Sequence, residues 1–506
     1  MQSKFTNIAV VGSGAMGRGI AQLAAQSGCH VWLYDSRPEA SAEARRAIES
    51  IWGSLAQKGR LQESDAQLAS TRLNVASSLQ QLAHCQLVVE AIVEDLSAKR
   101  ALMAELEQLV ADDAVLATNT SSLSVTAIGA GLRLPERFAG LHFFNPVPLM
   151  KVVEVVPGAR TATAVCDGLV AWVKALGHTP VLAQDTPGFI VNHAGRGYGT
   201  EALRVLSENV CDVPTIDRIL KDQLGFKLGP FELLDLTGLD VSHPVMETIY
   251  HQYFEEPRYR PSVITAQRLA GGLLGRKSGK GFYVYGPEGA VVAPESPVPS
   301  QVAQPPVWVS PKAARRTEIY QYLKSVDASI ETGAMPSAQA LILVAPLGLD
   351  VTTLAAVERL DPSRTVGIDM MLPDAAVKRR VLATNPATRA DMRDAAHALF
   401  ARDGKAVSVV RDSGGFVSQR VAATIVNIAA DMCQQGICTP NDLDTAVTLG
   451  LGYPQGPLAM GDSIGPTNLL EILFNLQTVY GDPRYRPSPW LRRRGALGLS
   501  LKHEET

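Results

Sequence analysis

The 506-residue chain has almost no net charge, no paired-cysteine spacing and no unbroken apolar run near its start, and each absence narrows what it can be. A formal charge of −3 gives no whole-protein field to attract a polyanion or an anionic membrane surface, so neither nucleic acid nor membrane is expected as a partner. Cys29, Cys85, Cys166, Cys211, Cys433 and Cys438 form no CxxC pair and no disulfide framework. They read as free thiols in a reducing compartment, which points to the cytoplasm, and no metal site is expected. The apolar stretch from Ile8 to Tyr34 is broken by Gly12, Gly14, Gly17 and Gly19 and carries Arg18, so it reads as strand, turn, helix and strand, not as a signal or a spanning helix. With 46% hydrophobic and 19% charged residues the composition is that of an ordinary globular protein, and the length predicts three or four domains.

What is present is a stretch that occurs twice. From Arg137 onward, adding 227 to a residue number lands on a like residue: Arg137 and Arg364, Gly140 and Gly367, Pro146 and Pro373, Asp185 and Asp412, Gly188 and Gly415, Phe189 and Phe416. The offset holds to Gly229 and Gly456, Pro230 and Pro457, Asp235 and Asp462, Gly238 and Gly465. Glycines and prolines at a constant offset are what a shared backbone path requires. At the same offset His142 becomes Asp369, Asn145 becomes Leu372, Glu154 becomes Val381 and Asn192 becomes Gln419. The backbone markers are kept and the polar constellation is lost, which nominates His142, Asn145, Glu154 and Asn192 for chemistry.

Short apolar runs at residues 8–11, 30–34, 87–92 and 114–118, with helical stretches between them, predict an open parallel sheet of the Rossmann, doubly wound kind. From Gly188 to about Arg268 the pattern is helical, with breaks expected at Pro214, at 225–230 and at 257–261. Six prolines between 287 and 306 predict a linker. The second copy has no room for counterparts of residues 1 to about 80, so it lacks the glycine turn and Asp35. The expected fold class is therefore α/β plus all-α. Its segments are a Rossmann domain (1–187), a helical domain (188–286), a linker (287–307), a truncated degenerate α/β segment (308–411) and a second helical domain (412–506).

Gly12, Gly14 and Gly17 form G-x-G-x-x-G directly after a strand and before a helix, where backbone N–H groups can meet a pyrophosphate. The second strand ends at Asp35, 18 residues after Gly17, where a carboxylate can accept from ribose hydroxyls and would repel a 2′-phosphate. NAD is favoured over NADP; FAD shares the fingerprint and stays the rival. His142 lies in an apolar run, and Glu154, 12 residues on in a strand-like segment, can reach one ring nitrogen if the chain turns back as a hairpin. A carboxylate there sets the tautomer and stabilises imidazolium as it forms, as a general base near neutral pH requires. Asn119, Thr120, Ser121 and Ser122 follow an apolar strand at the ligand side of the sheet; Ser121 is expected to act and Ser122 to cap a helix.

The motifs GSGAMG (12–17), EAIVED (90–95), NTSSLS (119–124), FAGLHFFNPVPLMKVVEVV (138–156) and DTPGFIVN (185–192) together resemble the 3-hydroxyacyl-CoA dehydrogenase family over residues 1 to about 286. The resemblance implies NAD-dependent oxidation of an L-3-hydroxyacyl-CoA, with His142 as base paired to Glu154 and with Ser121 and Asn192 hydrogen-bonded to the substrate. It places Gly12, Gly14, Ala15, Met16, Gly17, Asp35, Glu94, Lys99, Asn119 and Asn145 at the cofactor and Lys58 at the CoA nucleotide. The long, partly duplicated form is similar to bacterial members associated with phenylacetate catabolism, which implies 3-hydroxyadipyl-CoA, a thioester with a distal carboxylate, as substrate. After Asn192 the small residues Ala194, Gly195, Gly197 and Gly199 would open space, and Arg196 among them could read that carboxylate. Three alternatives stay open: a 3-hydroxybutyryl-CoA enzyme, a β-hydroxyacid dehydrogenase using a lysine such as Lys151, and a crystallin-like structural protein. By the same resemblance, the second helical domain is expected to pack on the first as an intramolecular pseudo-dimer partner.

Overall fold

The computed structural model describes residues 5–505. They gather into two compact units, one running to His193 and joined by Gln435–Leu451, the other made of Ala194–Gln434 and the chain from Gly452 onward.

The first unit is built on eight strands: β1 (Asn7–Val11), β2 (His30–Tyr34), β3 (Leu73–Val75), β4 (Leu87–Glu90), β5 (Val115–Thr118), β6 (Phe138–Phe143), β7 (Val152–Pro157) and β8 (Thr179–Leu182). Their order is β3-β2-β1-β4-β5-β6-β7-β8. Every pairing is parallel except β6 with β7. β4, β5 and β6 are buried along their whole length, which is why they read as unbroken apolar runs. The strand order reverses between β1 and β4, and that is where an open α/β sheet leaves a crevice above its strand ends. Helix Pro440–Leu451 packs on β7 and β8, and the N–H of Gln184 donates to the carbonyl of Ile437 at 2.8 Å.

The second unit opens with helices Arg196–Ser207, Val213–Leu224, Pro230–Thr237, Leu239–Gln252 and Val263–Ala270, then a hairpin of β9 (Val284–Gly286) and β10 (Gly289–Val291). A six-stranded sheet follows: β11 (Val307–Val309), β12 (Ile330–Glu331), β13 (Leu341–Val344), β14 (Thr365–Ile368), β15 (Arg379–Thr384) and β16 (Ala406–Arg411), in the order β12-β11-β13-β14-β15-β16. Here too one pair, β14 with β15, is antiparallel among parallel neighbours. Helices Ser418–Gln434, Pro457–Ile464, Pro466–Tyr480 and Pro489–Leu497 complete the unit. The architecture is thus a Rossmann-like sheet with a helical domain, followed by a second sheet and further helices.

Three expectations shift. The run 87–92 stops being strand at Glu90, because that side chain turns back to accept the N–H of Ile92 at 2.7 Å. Pro214 follows the expected break, at residues 208–212, instead of standing in it. It lies in the first turn of Val213–Leu224, where a missing N–H costs nothing, and Asp212 caps that turn by accepting from Thr215. The expected linker 287–307 is ordered at both ends, since residues 289–291 pair as β10 and Val307 opens β11.

Helices Arg196–Ser207 and Ser418–Gln434 pack together around a buried ion cluster. Glu201 is fully buried; it accepts from Arg420 Nε at 2.9 Å, Arg484 Nη1 at 3.1 Å and the Tyr485 hydroxyl at 2.7 Å. Burial pushes the Glu201 carboxyl up, but the two guanidinium groups outweigh it and hold the group below its ordinary value. Arg420 also donates to Glu208, Tyr480 and Ser413, so its charge is kept far from water without an idle donor. Arg420→Met should cost about 3–5 kcal/mol, because it leaves Glu201 charged, buried and short of its main partner. Urea titration of the full chain measures this, and an unchanged midpoint would show that the cluster contributes little.

Candidate active site

His142 and Glu154 face each other directly across the β6–β7 ladder. The antiparallel turn-back inferred from their spacing is therefore present, and it brings His142 Nδ1 to 2.6 Å from Glu154 Oε2. Glu154 has no exposed surface; its Oε1 accepts the N–H groups of Ile190 and Val191, both at 2.9 Å. A carboxylate held this way can only accept, so Nδ1 carries the proton and Nε2 is left with a lone pair. The rings of Phe144 and Phe189, 4.3 and 5.8 Å away, pack about the imidazole. Phe189 itself adopts φ 47°, a left-handed conformation unusual for a bulky residue, and this turn aims the next two N–H groups at Glu154.

Beside this pair the loop after β5 is organised by Glu94. Its Oε1 accepts from Thr120 Oγ1 at 2.7 Å, Ser121 N at 2.9 Å, Ser122 N at 3.1 Å and Ser122 Oγ at 3.0 Å. Burial pushes the Glu94 carboxyl up, but these donors and Lys99 more than offset it, so the group sits below its ordinary value. Lys99 is itself buried, 2.6 Å from Glu90 and 3.3 Å from Glu94. Glu90 also accepts the hydroxyl of Thr118 at 2.6 Å. Asn119 Oδ1 accepts the N–H of Phe143 at 2.8 Å, tying this loop to the strand that carries His142. Ser122 is not the helix cap; Ser124 caps Val125–Gly129 by accepting from Ala127, because the helix starts two residues later than expected.

At the first turn Gly12 has φ 104° and donates to the carbonyl of Tyr34, and a Cβ on Gly17 would lie 1.8 Å from the Gly12 oxygen. Only glycine permits that closeness. A Cβ on Gly14, by contrast, would meet nothing within 4 Å, and no side chain caps the helix that begins with Ala15 and Met16. An open cradle at an uncapped helix N-terminus fits a dinucleotide pyrophosphate. Asp35 Oδ2 accepts both the N–H and the hydroxyl of Ser13, at 2.9 and 2.6 Å, and Oδ1 accepts the N–H of Arg37 at 3.0 Å. Burial raises the Asp35 carboxyl, but the Ser13 and Arg37 bonds outweigh it and hold it at about 2.

The remaining predicted residues spread wider. Asn145 is exposed just after β6 and Asn192 is partly buried in the short helix Val191–Ala194. Lys58 is exposed at the end of helix Ala40–Gln57, beside a cavity of about 530 Å³ lined by Trp52, Gly53, Ala56 and Gln57 among others. Arg196 opens the first helix of the second unit; it is partly buried rather than on an open surface, and burial pushes its guanidinium down to about 10. Sequence reading passed over Glu90 and Asp185. Asp185 accepts from Ser124 Oγ, Val125 N and Thr126 N, closing the serine loop from the other side. Glu90 ends β4 and Asp185 lies three residues beyond β8, and the partners that mark each as structural are distant in sequence. Among the described residues no cluster of three or more metal-ligating side chains occurs, and no helix is long and apolar enough to cross a membrane.

The chain is similar to known proteins over nearly its whole length. The model of the NAD binding domain of 3-hydroxyacyl-CoA dehydrogenase matches residues 7–186, and that of the C-terminal domain matches 188–285 and 415–505. A relative from Escherichia coli K12 named 3-hydroxyadipyl-CoA dehydrogenase is 37% identical over 500 residues, 98% of this chain and 99% of its own. The human mitochondrial hydroxyacyl-coenzyme A dehydrogenase is 39% identical over 285 residues, covering 55% of this chain and 91% of its own. A solved structure of a 3-hydroxybutyryl-CoA dehydrogenase from Escherichia coli K12 superposes with a TM-score of 0.86 at 36% identity, over 98% of this chain and 99% of that one.

The Asp35 geometry generates a prediction about the cofactor. On the expectation that its carboxylate accepts from the ribose hydroxyls, Asp35→Ala should lower kcat/KM with NADH by about tenfold and free Ser13. It also releases Arg37 to meet a 2′-phosphate, so the NADPH to NADH ratio should rise. An unchanged ratio in steady-state assays would remove Asp35 from cofactor choice.

Proposed function

The chain belongs to the 3-hydroxyacyl-CoA dehydrogenase family, and we propose that it oxidises an L-3-hydroxyacyl-CoA to the 3-ketoacyl-CoA through the His142–Glu154 pair. The 2.6 Å contact between two buried groups, with the carboxylate held by two backbone N–H groups, carries this reading. His142 Nε2 takes the 3-hydroxyl proton, and Glu154 stabilises the imidazolium that results. NAD, when bound, accepts the hydride from C3. Gly12, Gly14, Ala15, Met16, Gly17 and Asp35 would hold its adenine half, with Glu94, Lys99, Asn119 and Asn145 nearer its reacting end. Ser121 and Asn192 hydrogen-bond the substrate around the reacting oxygen, and Lys58 meets the CoA nucleotide. In the opposite direction the same imidazolium returns the proton.

For the acyl group, 3-hydroxyadipyl-CoA is the reading best supported, because the relative of that name aligns over almost the whole chain. A similarly long solved structure bears the name 3-hydroxybutyryl-CoA dehydrogenase, which favours the shorter, uncharged substrate as the second reading. Arg196 separates them, since a distal carboxylate would compensate the burial that now disfavours its charge.

We further infer that residues 308–506 are a degenerate second copy. The β14–β15 pairing extends so that Asp369 N donates to the carbonyl of Val381, the position of His142 opposite Glu154 shifted by 227. In that place the Asp369 carboxylate accepts from Ser418 Oγ, Gln419 Nε2 and Met371 N, so three of its roughly four acceptor positions are filled internally. On this reading the segments are 1–187, 188–286, 287–307, 308–411 and 412–506, and the two helical segments form a pseudo-dimer about the Glu201–Arg420 cluster. The six free thiols support a cytoplasmic location.

Three outcomes test the proposal. His142→Ala and Glu154→Gln should each lower kcat by about 10²- to 10⁴-fold with NADH affinity nearly unchanged, and near-normal turnover in either would sink the assignment. Calorimetric titration should give one NADH per chain. The wild type should prefer 3-hydroxyadipyl-CoA to 3-hydroxybutyryl-CoA and lose that preference in Arg196→Met; a preference that survives the substitution rules Arg196 out.

A further inference from the structure

Segment Gln435–Leu451, with its helix Pro440–Leu451, belongs to the first unit although the chain on both sides of it belongs to the second. At its penultimate position stands Gly450. A Cβ there would lie 3.0 and 3.1 Å from the two γ-carbons of Val191 and 3.4 Å from Cγ1 of Val152. Both neighbours bear on the buried carboxylate. The N–H of Val191 donates to Glu154 Oε1, and Val152 precedes Glu154 by two residues on β7, on the same face of the strand.

The chain supplies its own comparison 227 residues away. Gln223 corresponds to Gly450 and Ser418 to Val191, and Gln223 and Ser418 line one small closed pocket with Asp369, the counterpart of His142. A long side chain faces a small one at the inactive position, whereas no side chain faces valine at the active one. Helix termination does not explain the glycine, because the left-handed residue after the helix is Gly452, with φ 67°, and Gly450 is not left-handed. Room for Val191 and Val152 does explain it.

We infer that Gly450 is a positioning residue for Glu154: by admitting the helix close against Val191 and Val152, it keeps the two-amide cradle seated on the carboxylate that orients His142. The inference rests on the catalytic reading of that pair. It also gives the distal part of the chain a share in the active site of the first unit, beyond covering a helical face.

The test uses the full chain. Gly450→Ala should lower kcat about tenfold while KM for NADH stays within about twofold, because the displaced groups lie at the base and not at the dinucleotide turn. Val191→Ile presses the same contact from the other side and should give the same split. Adding Val191→Ala to Gly450→Ala should recover most of the lost kcat, a rescue that general destabilisation would not produce. A Gly450→Ala chain that fails to fold while the double variant folds and turns over equally supports the contact. Unchanged kcat in Gly450→Ala, or a loss that Val191→Ala does not relieve, overturns the inference. If His142→Ala is inactive and Gly450→Ala is normal, only the positioning role falls; if His142→Ala is active, the catalytic reading falls with it.

Discussion

A buried carboxylate must find all of its hydrogen-bond donors inside the protein, and Glu154 finds three: His142 on the neighbouring strand and the N–H groups of Ile190 and Val191. Satisfying them sets several things at once. β6 and β7 must run antiparallel in one register, since a one-residue slip would turn Glu154 to the opposite face. The chain after Asp185 must return over that pair, which it does through Gly188 and the left-handed Phe189. With those conditions met, the imidazole has one tautomer and one free nitrogen. The second sheet also has an antiparallel pair, β14 with β15, and two left-handed residues, Gly415 and Phe416, with Val381 at the offset position of Glu154. An antiparallel pair with a left-handed turn beside it can therefore form without a glutamate there, and in the first unit Glu154 is what ties its register to the imidazole.

How much of this was legible in the sequence depended on the range over which each signal acts. The glycine turn and Asp35 were readable because they are local, a strand, a turn and a strand end within 29 residues counted from Asn7 to Asp35. His142 and Glu154 were readable because the internal repeat supplied a contrast at each position, and because a hairpin is the short way to join them. Glu90 was not, although it lies inside a quoted motif. Its partners Lys99 and Thr118 come from a helix and a neighbouring strand, and nothing in spacing marks an acid as buried rather than exposed. The cap at Ser124 was missed by two residues for a plainer reason: a run of Ser and Thr offers several equivalent caps, and the choice falls to Asp185, 61 residues away.

The membership of Gln435–Leu451 in the first unit is the feature furthest from any local signal. Helix Pro440–Leu451 has the turn-forming start and apolar face of any packed helix, and only the tertiary structure shows that it lies on β7 and β8. Its counterpart by the 227 offset, helix Val213–Leu224, packs on β15 in the second unit. Each of the two helices thus packs on the second strand of an antiparallel pair, β7 or β15, distant from it in sequence.

That placement bears on how the chain is made. During synthesis a domain can finish folding only when its last element has emerged from the ribosome. The sheet that carries His142 and Glu154 is complete by residue 182, yet the helix that packs on β7 and β8 ends at Leu451 of 506. Until then β7 lacks that covering helix, and its apolar side chains must be kept from other hydrophobic surfaces while more than half of the chain is still being added.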